Sequence, residues 1–386
     1  MKNTKKIAEF LVAFAVTMLL ISCHSDDPVK NRNKNIEKLY KKGIVKIATV
    51  TSFGKEKSML LDGIELALDE IRNENLIDKE IQLDIYEDKA REKEALTIAY
   101  QIAGDEGTAA VIGHDYSDIS KSCSLIYQYY GILMMNAQST LPSLTSEDNH
   151  LVFRNLPADD AAGREAARFC RKNDIDKVII YYADRTYGNS LANSFELAAG
   201  KYNVEIISRD SYQIGVAEKF HDRKAKSWDN SFVFDGIFLA GSMPDILTIV
   251  KCIRQRGINV PIIGADSFEN PLFFQELPES ENGKIFAVSN FDLESENPAF
   301  VDFRNKFNQK YGKEPDLNAC QGYDALMVYI KAVKKAGSAL PEEVAKALRS
   351  ENWNEAAGPY TFNARGEVEG KELTDKVLMN GKLIKK

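Results

Sequence analysis

Residues 109–140, AAVIGHDYSDISKSCSLIYQYYGILMMNAQST, read as a strand–helix–strand unit, and few other arrangements suit them. The apolar run Ala109 to Ile112 has the length of a strand buried on both faces. Gly113 breaks it, and a polar loop from His114 to Ser117 follows. Ile119, Cys123, Ile126, Tyr127 and Tyr130 then recur at helical spacing until Gly131 stops the helix. A second apolar run, Ile132 to Met135, ends in the polar loop Asn136 to Thr140. Parallel sheets hold ligands at the carboxyl ends of such strands. Ser117 and Thr140 place hydroxyls at that edge. Ser117 also stands near a helix N-terminus, whose free N–H groups favour a carboxylate. The alternative is that Ser117 caps the helix and Thr140 only ends a strand.

The same alternation runs through most of the chain. Ile44 to Val50 reads as a strand with the loop Thr51-Ser52-Phe53-Gly54, and Leu61, Ile64, Leu68 and Ile71 share one face of the next helix. Strand Gln82 to Tyr86 and helix Glu92 to Ala103 lead into the unit above. From Phe153 the pattern restarts, with strands at Val178 to Tyr182, Val204 to Ser208, Gly236 to Leu239 and Pro261 to Ile263. Alternating twice over predicts two doubly wound, Rossmann-like α/β lobes. Helices at Pro298 to Tyr311, Asn318 to Lys335 and Ala339 to Arg349 need a sheet to cover, yet few new strands follow them. A return of the chain to the first lobe solves this, with several crossings forming a multi-strand hinge. The expected division is 44–156 with 290–357 for lobe 1, and 157–289 with 358–386 for lobe 2.

The N-terminal segment reads as an export signal. Lys2, Lys5 and Lys6 precede the apolar stretch Phe10 to Ile21, too short for a stable membrane span. Leu19-Leu20-Ile21-Ser22-Cys23 resembles the lipobox of bacterial lipoproteins. That resemblance implies cleavage after residue 22, acylation of Cys23 with palmitate-type chains, and a location in the cell envelope, lipid-anchored and facing the periplasm or exterior. An ordinary secretory signal is the alternative. Residues 23–43, mostly charged or Asn from His24 to Lys42, read as a flexible tether.

Removing 22 residues from 386 leaves 364, enough for two domains with sizeable cores. The three Lys and one Glu lost take the formal net charge from −7 to −9, which argues against nucleic acid as a partner. Cys123, Cys170, Cys252 and Cys320 sit singly among apolar neighbours and read as buried free thiols. His24, His114, His150 and His221 lack metal-ligand spacing. No nucleotide loop, nucleophile elbow or His-Glu-x-x-His sequence occurs, so no enzyme, cofactor or metal is expected.

From about Ile44 to the C-terminus the chain resembles the type I periplasmic binding proteins, in particular the leucine/isoleucine/valine-binding group that delivers solutes to ABC importers. The resemblance is carried by Asp62-Gly63-Ile64-Glu65-Leu66-Ala67, Val111-Ile112-Gly113-His114 with Ser117, Gly131-Ile132-Leu133-Met134, Phe153-Arg154, Tyr187-Gly188 and Gln321-Gly322-Tyr323-Asp324-Ala325. It implies a type I periplasmic binding protein fold acting as a monomer. Ser117, Ser139 and Thr140 would meet the α-carboxylate of an amino acid or similar small polar solute, Asp266 its ammonium, and Tyr187 would add an aromatic wall. Closure would deliver the solute to a membrane ABC permease. A sensor module that reports ligand to a separate membrane partner is the alternative.

The chain departs from the group in three places. Lys55-Glu56-Lys57 occupies the first loop, where an aromatic or apolar side chain is usual. No aromatic pair stands near Ser242 and Met243, and Ala90, Arg91 and Tyr116 replace a small disulfide loop. A polar ligand and a merely solvated first loop are both compatible with this.

Overall fold

Strands that hide both faces need helices above and below them, and this requirement sets the layout. A computed structural model describes residues 27–52, 59–146 and 148–386. Strands β1 (Ile44–Thr51), β2 (Glu80–Glu87), β3 (Thr108–Gly113), β4 (Leu133–Asn136) and β5 (Val152–Arg154) pair in parallel, in the order β2-β1-β3-β4-β5. Helices α1 (Pro28–Lys41), α2 (Leu60–Asn73), α3 (Glu92–Gly104) and α4 (Ser117–Tyr129) belong to this lobe. Alternate residues serve opposite cores, as the two-residue period of a strand demands. Ala110, Ile112, Leu133 and Met135 enter one cluster, and Val111 and Met134 enter the other.

The second sheet repeats the plan. Strands β6 (Lys177–Ala183), β7 (Glu205–Tyr212), β8 (Gly236–Ala240), β9 (Ile262–Gly264) and β10 (Ile285–Ser289) run parallel. Helices α5 (Asp159–Lys172), α6 (Thr186–Ala199), α7 (Glu218–Ser231), α8 (Asp245–Gln255) and the short α9 (Pro271–Gln275) connect or cover them. Ile179 and Leu239 face one core, and Val178, Ile180 and Phe238 the other.

After β10 the chain returns to the first lobe through α10 (Pro298–Tyr311), α11 (Leu317–Ala336) and α12 (Pro341–Arg349). Helices α2 and α11 cross where Gly63 meets the Ala319 carbonyl and Gly322 meets that of Leu60, and neither position has room for a Cβ. More strands follow than the sequence suggested. Strands β11 (Trp353–Glu355), β12 (Gly358–Phe362) and β13 (Val368–Glu369) form a small antiparallel sheet. Residues 358–362 were expected in lobe 2, but Tyr360, Phe362 and Val368 enter the first lobe's core, with Phe362 edge-on to Phe153 at 5.3 Å. Only β14 (Thr374–Met379) and β15 (Lys382–Lys385) rejoin the second sheet, antiparallel beyond β10.

The chain thus passes between lobes after Arg154, after Ser289 and before Thr374. Buried Lys371, on the last crossing, donates to the Asn155 carbonyl on the first at 2.6 Å and lies 3.7 Å from Asp324 of α11. Asn155 donates in turn to the Gln321 carbonyl of α11 at 2.9 Å. Two crossings are therefore fastened to one helix.

The expectation of a flexible tether fails over Pro28–Lys41, which is helix α1. Asp27 caps it through Val29 N–H, Pro28 opens it, and Arg32 and Ile36 are buried. Arg32 donates to the carbonyls of Tyr130 at 2.8 Å, Asp105 at 2.9 Å, Thr108 at 2.8 Å and Ala103. Three of these lie at the carboxyl ends of α3 and α4, where helices leave carbonyls without partners and the dipole favours a cation. Burial lowers the guanidinium to about 10, so it stays charged at neutral pH. Gly131, at φ +66°, leaves the space that Val29 fills. Helix α1 therefore sits where strands β3 and β4 begin.

Candidate functional site between the two lobes

In a sheet of order 2-1-3-4-5, the crevice opens where neighbouring strands send their connections to opposite faces. In lobe 1 that point lies between β1 and β3, and in lobe 2 between β6 and β8. Their loops meet across a cleft of about 570 Å³, lined by Ser52 and Asp115 to Ser117 on one side and by Arg185, Tyr187 and Ser242 to Pro244 on the other.

On the first lobe, Ser117 is the first residue of α4 and is buried, so its hydroxyl stands beside the free N–H groups of the opening turn. It does not cap the helix: Tyr116 holds that position without a side-chain bond. Ser139 Oγ donates to Ser117 Oγ at 3.1 Å, which brings the two strand-end loops together. Buried Asn136, which sequence reasoning left as a loop residue, organises both loops. Its Nδ2 donates to the carbonyls of Gly113 and His114 at 3.2 Å and to Ser120 Oγ at 3.0 Å, and its Oδ1 accepts from Ser139 N–H at 2.7 Å. Arg154 holds the Leu141 carbonyl behind the loop while paired with Glu367 at 2.6 Å. Thr140 is buried; its carbonyl accepts from Asp159 N–H at 2.8 Å, and its hydroxyl has no hydrogen-bond partner among the described residues.

The second lobe is acidic. Tyr187 Oη donates to Asp266 Oδ1 at 2.9 Å, and both residues line the cleft. Burial raises the Asp266 carboxyl above its usual value despite that bond. A second carboxylate, missed in the sequence, opens α5. Asp159 is fully buried and both its oxygens lack a partner of hydrogen-bond geometry, although the hydroxyls of Ser190 and Thr140 face it and ease its charge. Burial pushes the Asp159 carboxyl up to about 7, and the charge on Asp266 adds to the rise. Glu269 also lines the cleft but is neutralised by Lys376 at 2.6 Å.

Arg185 joins the lips of the cleft. From the second lobe its Nε donates to Asp118 of α4 at 3.0 Å, and its guanidinium lies 4.4 Å over the Tyr116 ring. Lys55, Glu56 and Lys57 lie outside the described residues, as does Cys23. Ser242 and Met243 do line the cleft. Cys123, Cys170, Cys252 and Cys320 are free and buried, and burial pushes the Cys123 and Cys170 thiols up to about 12. Among the described residues no helix is long and apolar enough to cross a membrane, and no metal-ligand cluster occurs.

Of these residues Ser117, Tyr187 and Asp266 line the cleft, while Ser139, Thr140 and Asp159 are buried behind its wall. Known proteins with this architecture are similar in sequence too. Over 294 residues the chain is 25% identical to a leucine-, isoleucine-, valine-, threonine- and alanine-binding protein of Pseudomonas aeruginosa, covering 75% of this chain and 76% of that one. An ABC transporter substrate-binding protein from Desulfitobacterium hafniense, solved in complex with Leu, superimposes with a TM-score of 0.77 at 29% identity, over 89% of this chain and 100% of that one. The leucine-binding protein LivK of Thermotoga maritima gives 0.80 at 25% identity, over 89% and 97%. Since the periplasmic binding protein family model matches residues 48–371, the chain belongs to that family of solute-binding proteins and is similar within it to the leucine/isoleucine/valine-binding proteins.

Proposed function

We propose that the cleft captures an α-amino acid by closing both lobes on it and presents it to an ABC permease. The observation that supports this most is the separation of chemistry across the cleft. Ser117, Ser139 and the opening turn of α4 suit a carboxylate, and Thr140 adds a hydroxyl. Asp266 and Asp159, both desolvated, suit an ammonium, and charge-assisted hydrogen bonds are the strong ones. Tyr187 orients Asp266 and walls the cleft. Because the two sets sit on different lobes, only the closed form satisfies both ends of a zwitterion, so ligand shifts the hinge equilibrium. A thermal-shift screen of the common amino acids tests the reading. A true ligand at 100 times its Kd stabilises by about 2.7 kcal/mol. No shift with any amino acid overturns the proposal.

The protein acts as a monomer, anchored through acylated Cys23. Several acyl chains are needed for durable attachment, since one alone is marginal. Cys23→Ser is expected to move the protein from the membrane pellet to the soluble fraction with ligand affinity unchanged. A mutant that stays in the pellet overturns the anchor.

A further inference from the structure

Asp115, in the loop between β3 and α4, stands in the cleft wall two residues before Ser117. Its Oδ2 accepts from Thr51 Oγ1 and from Ser52 N–H, both at 2.8 Å, so the end of β1 fixes its position. Its Oδ1 is buried and has no partner among the described residues. Two hydrogen bonds thus clamp one oxygen of a cleft-lining residue and leave the other buried without a partner, closed to water as the wall stands. The surrounding lining is polar on the same lobe, with Ser52, Glu87, Lys89 and Gln138.

We propose that Asp115 Oδ1 receives a hydrogen-bond donor at the far end of the ligand, so that the preferred solute is an amino acid with an amide or cationic side chain rather than a branched aliphatic one. The inference rests on the α-amino-acid reading above and assigns what that reading leaves open, the side-chain class. A buried acceptor against a methyl group would stay unpaired. Sites built to hydrogen-bond a ligand discriminate strongly against analogues that lack the donor. Burial pushes the Asp115 carboxyl up to about 6, with the nearby Asp88 charge adding and the Ser52 and Thr51 contacts opposing. The group is still ionised at neutral pH, and it accepts rather than donates.

The test is a ratio of dissociation constants measured by calorimetry at pH 7.5 on wild type and two variants. Glutamine, lysine and arginine are compared with leucine, isoleucine and valine. Because every compound shares the same α-carboxylate and α-ammonium, the ratio isolates the side chain. In the wild type at least one donor-ended amino acid is expected to bind tenfold or more tightly than all three aliphatic ones. Asp115→Leu is expected to erase or reverse that preference. Asp115→Asn guards against a variant that fails to fold: its Oδ1 can still accept from Thr51 and Ser52 while its amide N–H₂ faces the ligand, so lysine and arginine should weaken about tenfold or more. Aliphatic amino acids that bind the wild type at least as tightly, or a ratio that neither variant moves, overturn the inference and leave the α-amino-acid reading standing. If no amino acid of either class binds, both fall together.

Discussion

With the proposed α-amino acid as ligand, Asp266→Asn is expected to lower affinity about tenfold to a hundredfold or more. A hydrogen bond to a charged group contributes roughly 1.5–3 kcal/mol, and each 1.4 kcal/mol is a factor of ten in Kd. The substitution keeps an oxygen for Tyr187 Oη to donate to, now at 2.9 Å, so the cleft wall should stay in place while the charge is lost. The carboxylate end still finds its partners on the first lobe, so the mutant loads ligand and closes poorly. Small-angle scattering with saturating ligand should then give a larger radius than wild type. Wild-type affinity with full closure would dismiss the ammonium assignment. Thr140→Val should cost less, because the first turn of α4 and the Ser117–Ser139 pair remain.

The same site sets a pH dependence. The folded-state pKa of Asp159, about 7, lies above that of a free carboxyl. Its contribution to the stability of the unliganded protein is therefore present at low pH and is lost as pH rises through about 7. An ammonium ligand prefers the ionised form, so its affinity should rise from pH 6 to pH 8, and binding near pH 7 should release a proton. In Asp266→Asn the neighbouring charge is gone, the Asp159 carboxyl falls, and the rise in affinity moves to lower pH. Titration calorimetry in buffers of different ionisation enthalpy reads the proton directly. A pH-flat affinity would remove Asp159 from the ligand's surroundings.

Arg32→Met is expected to produce the largest loss of stability. The variant keeps the apolar stem but leaves the carbonyls of Ala103, Asp105, Thr108 and Tyr130 without the cation that joins them. Stranding buried acceptors costs about 1–3 kcal/mol each, partly relieved by water, so a net loss of about 3–5 kcal/mol follows. At roughly 2–4 °C per kcal/mol for a domain of this size, the melting midpoint should drop on the order of 10 °C. Arg32→Lys should rescue little, since a point charge cannot span four acceptors as a guanidinium does. Hydrogen exchange should show α1 opening first. An unchanged midpoint would make α1 an appendage and not part of the lobe.

Much of this architecture is legible in the chain because period-two burial and helical spacing are local signals. Val111 between Ala110 and Ile112 already announces a strand with two buried faces, and the polar loops after Gly113 and Met135 announce the cleft edge. Helix α1 is not legible, because it buries little and owes its place to carbonyls 71 to 98 residues away. Asp159 reads as an ordinary acidic first-turn residue. Only the fold sets it beside Asp266. Asn136 is one asparagine among many until both loops close over it. Tyr360 and Phe362 mark a strand well enough, but nothing local says which lobe owns it; the ring of Phe153 decides.

Helix α1 also gives the molecule a foot. Arg32 clamps it where β3 and β4 begin, while the ligand loops leave the opposite ends of those strands. With a lipid on Cys23, the four steps from Cys23 to Asp27 span at most about 14 Å. If that anchor holds, the first lobe would stand close to the bilayer with its base downward, and the second lobe would become the outer jaw. Hinge motion is not shared equally in such an arrangement. The seated lobe would then serve as the frame, the outer lobe would make most of the excursion, and a partner in the same membrane would meet the closing stroke from the outer side.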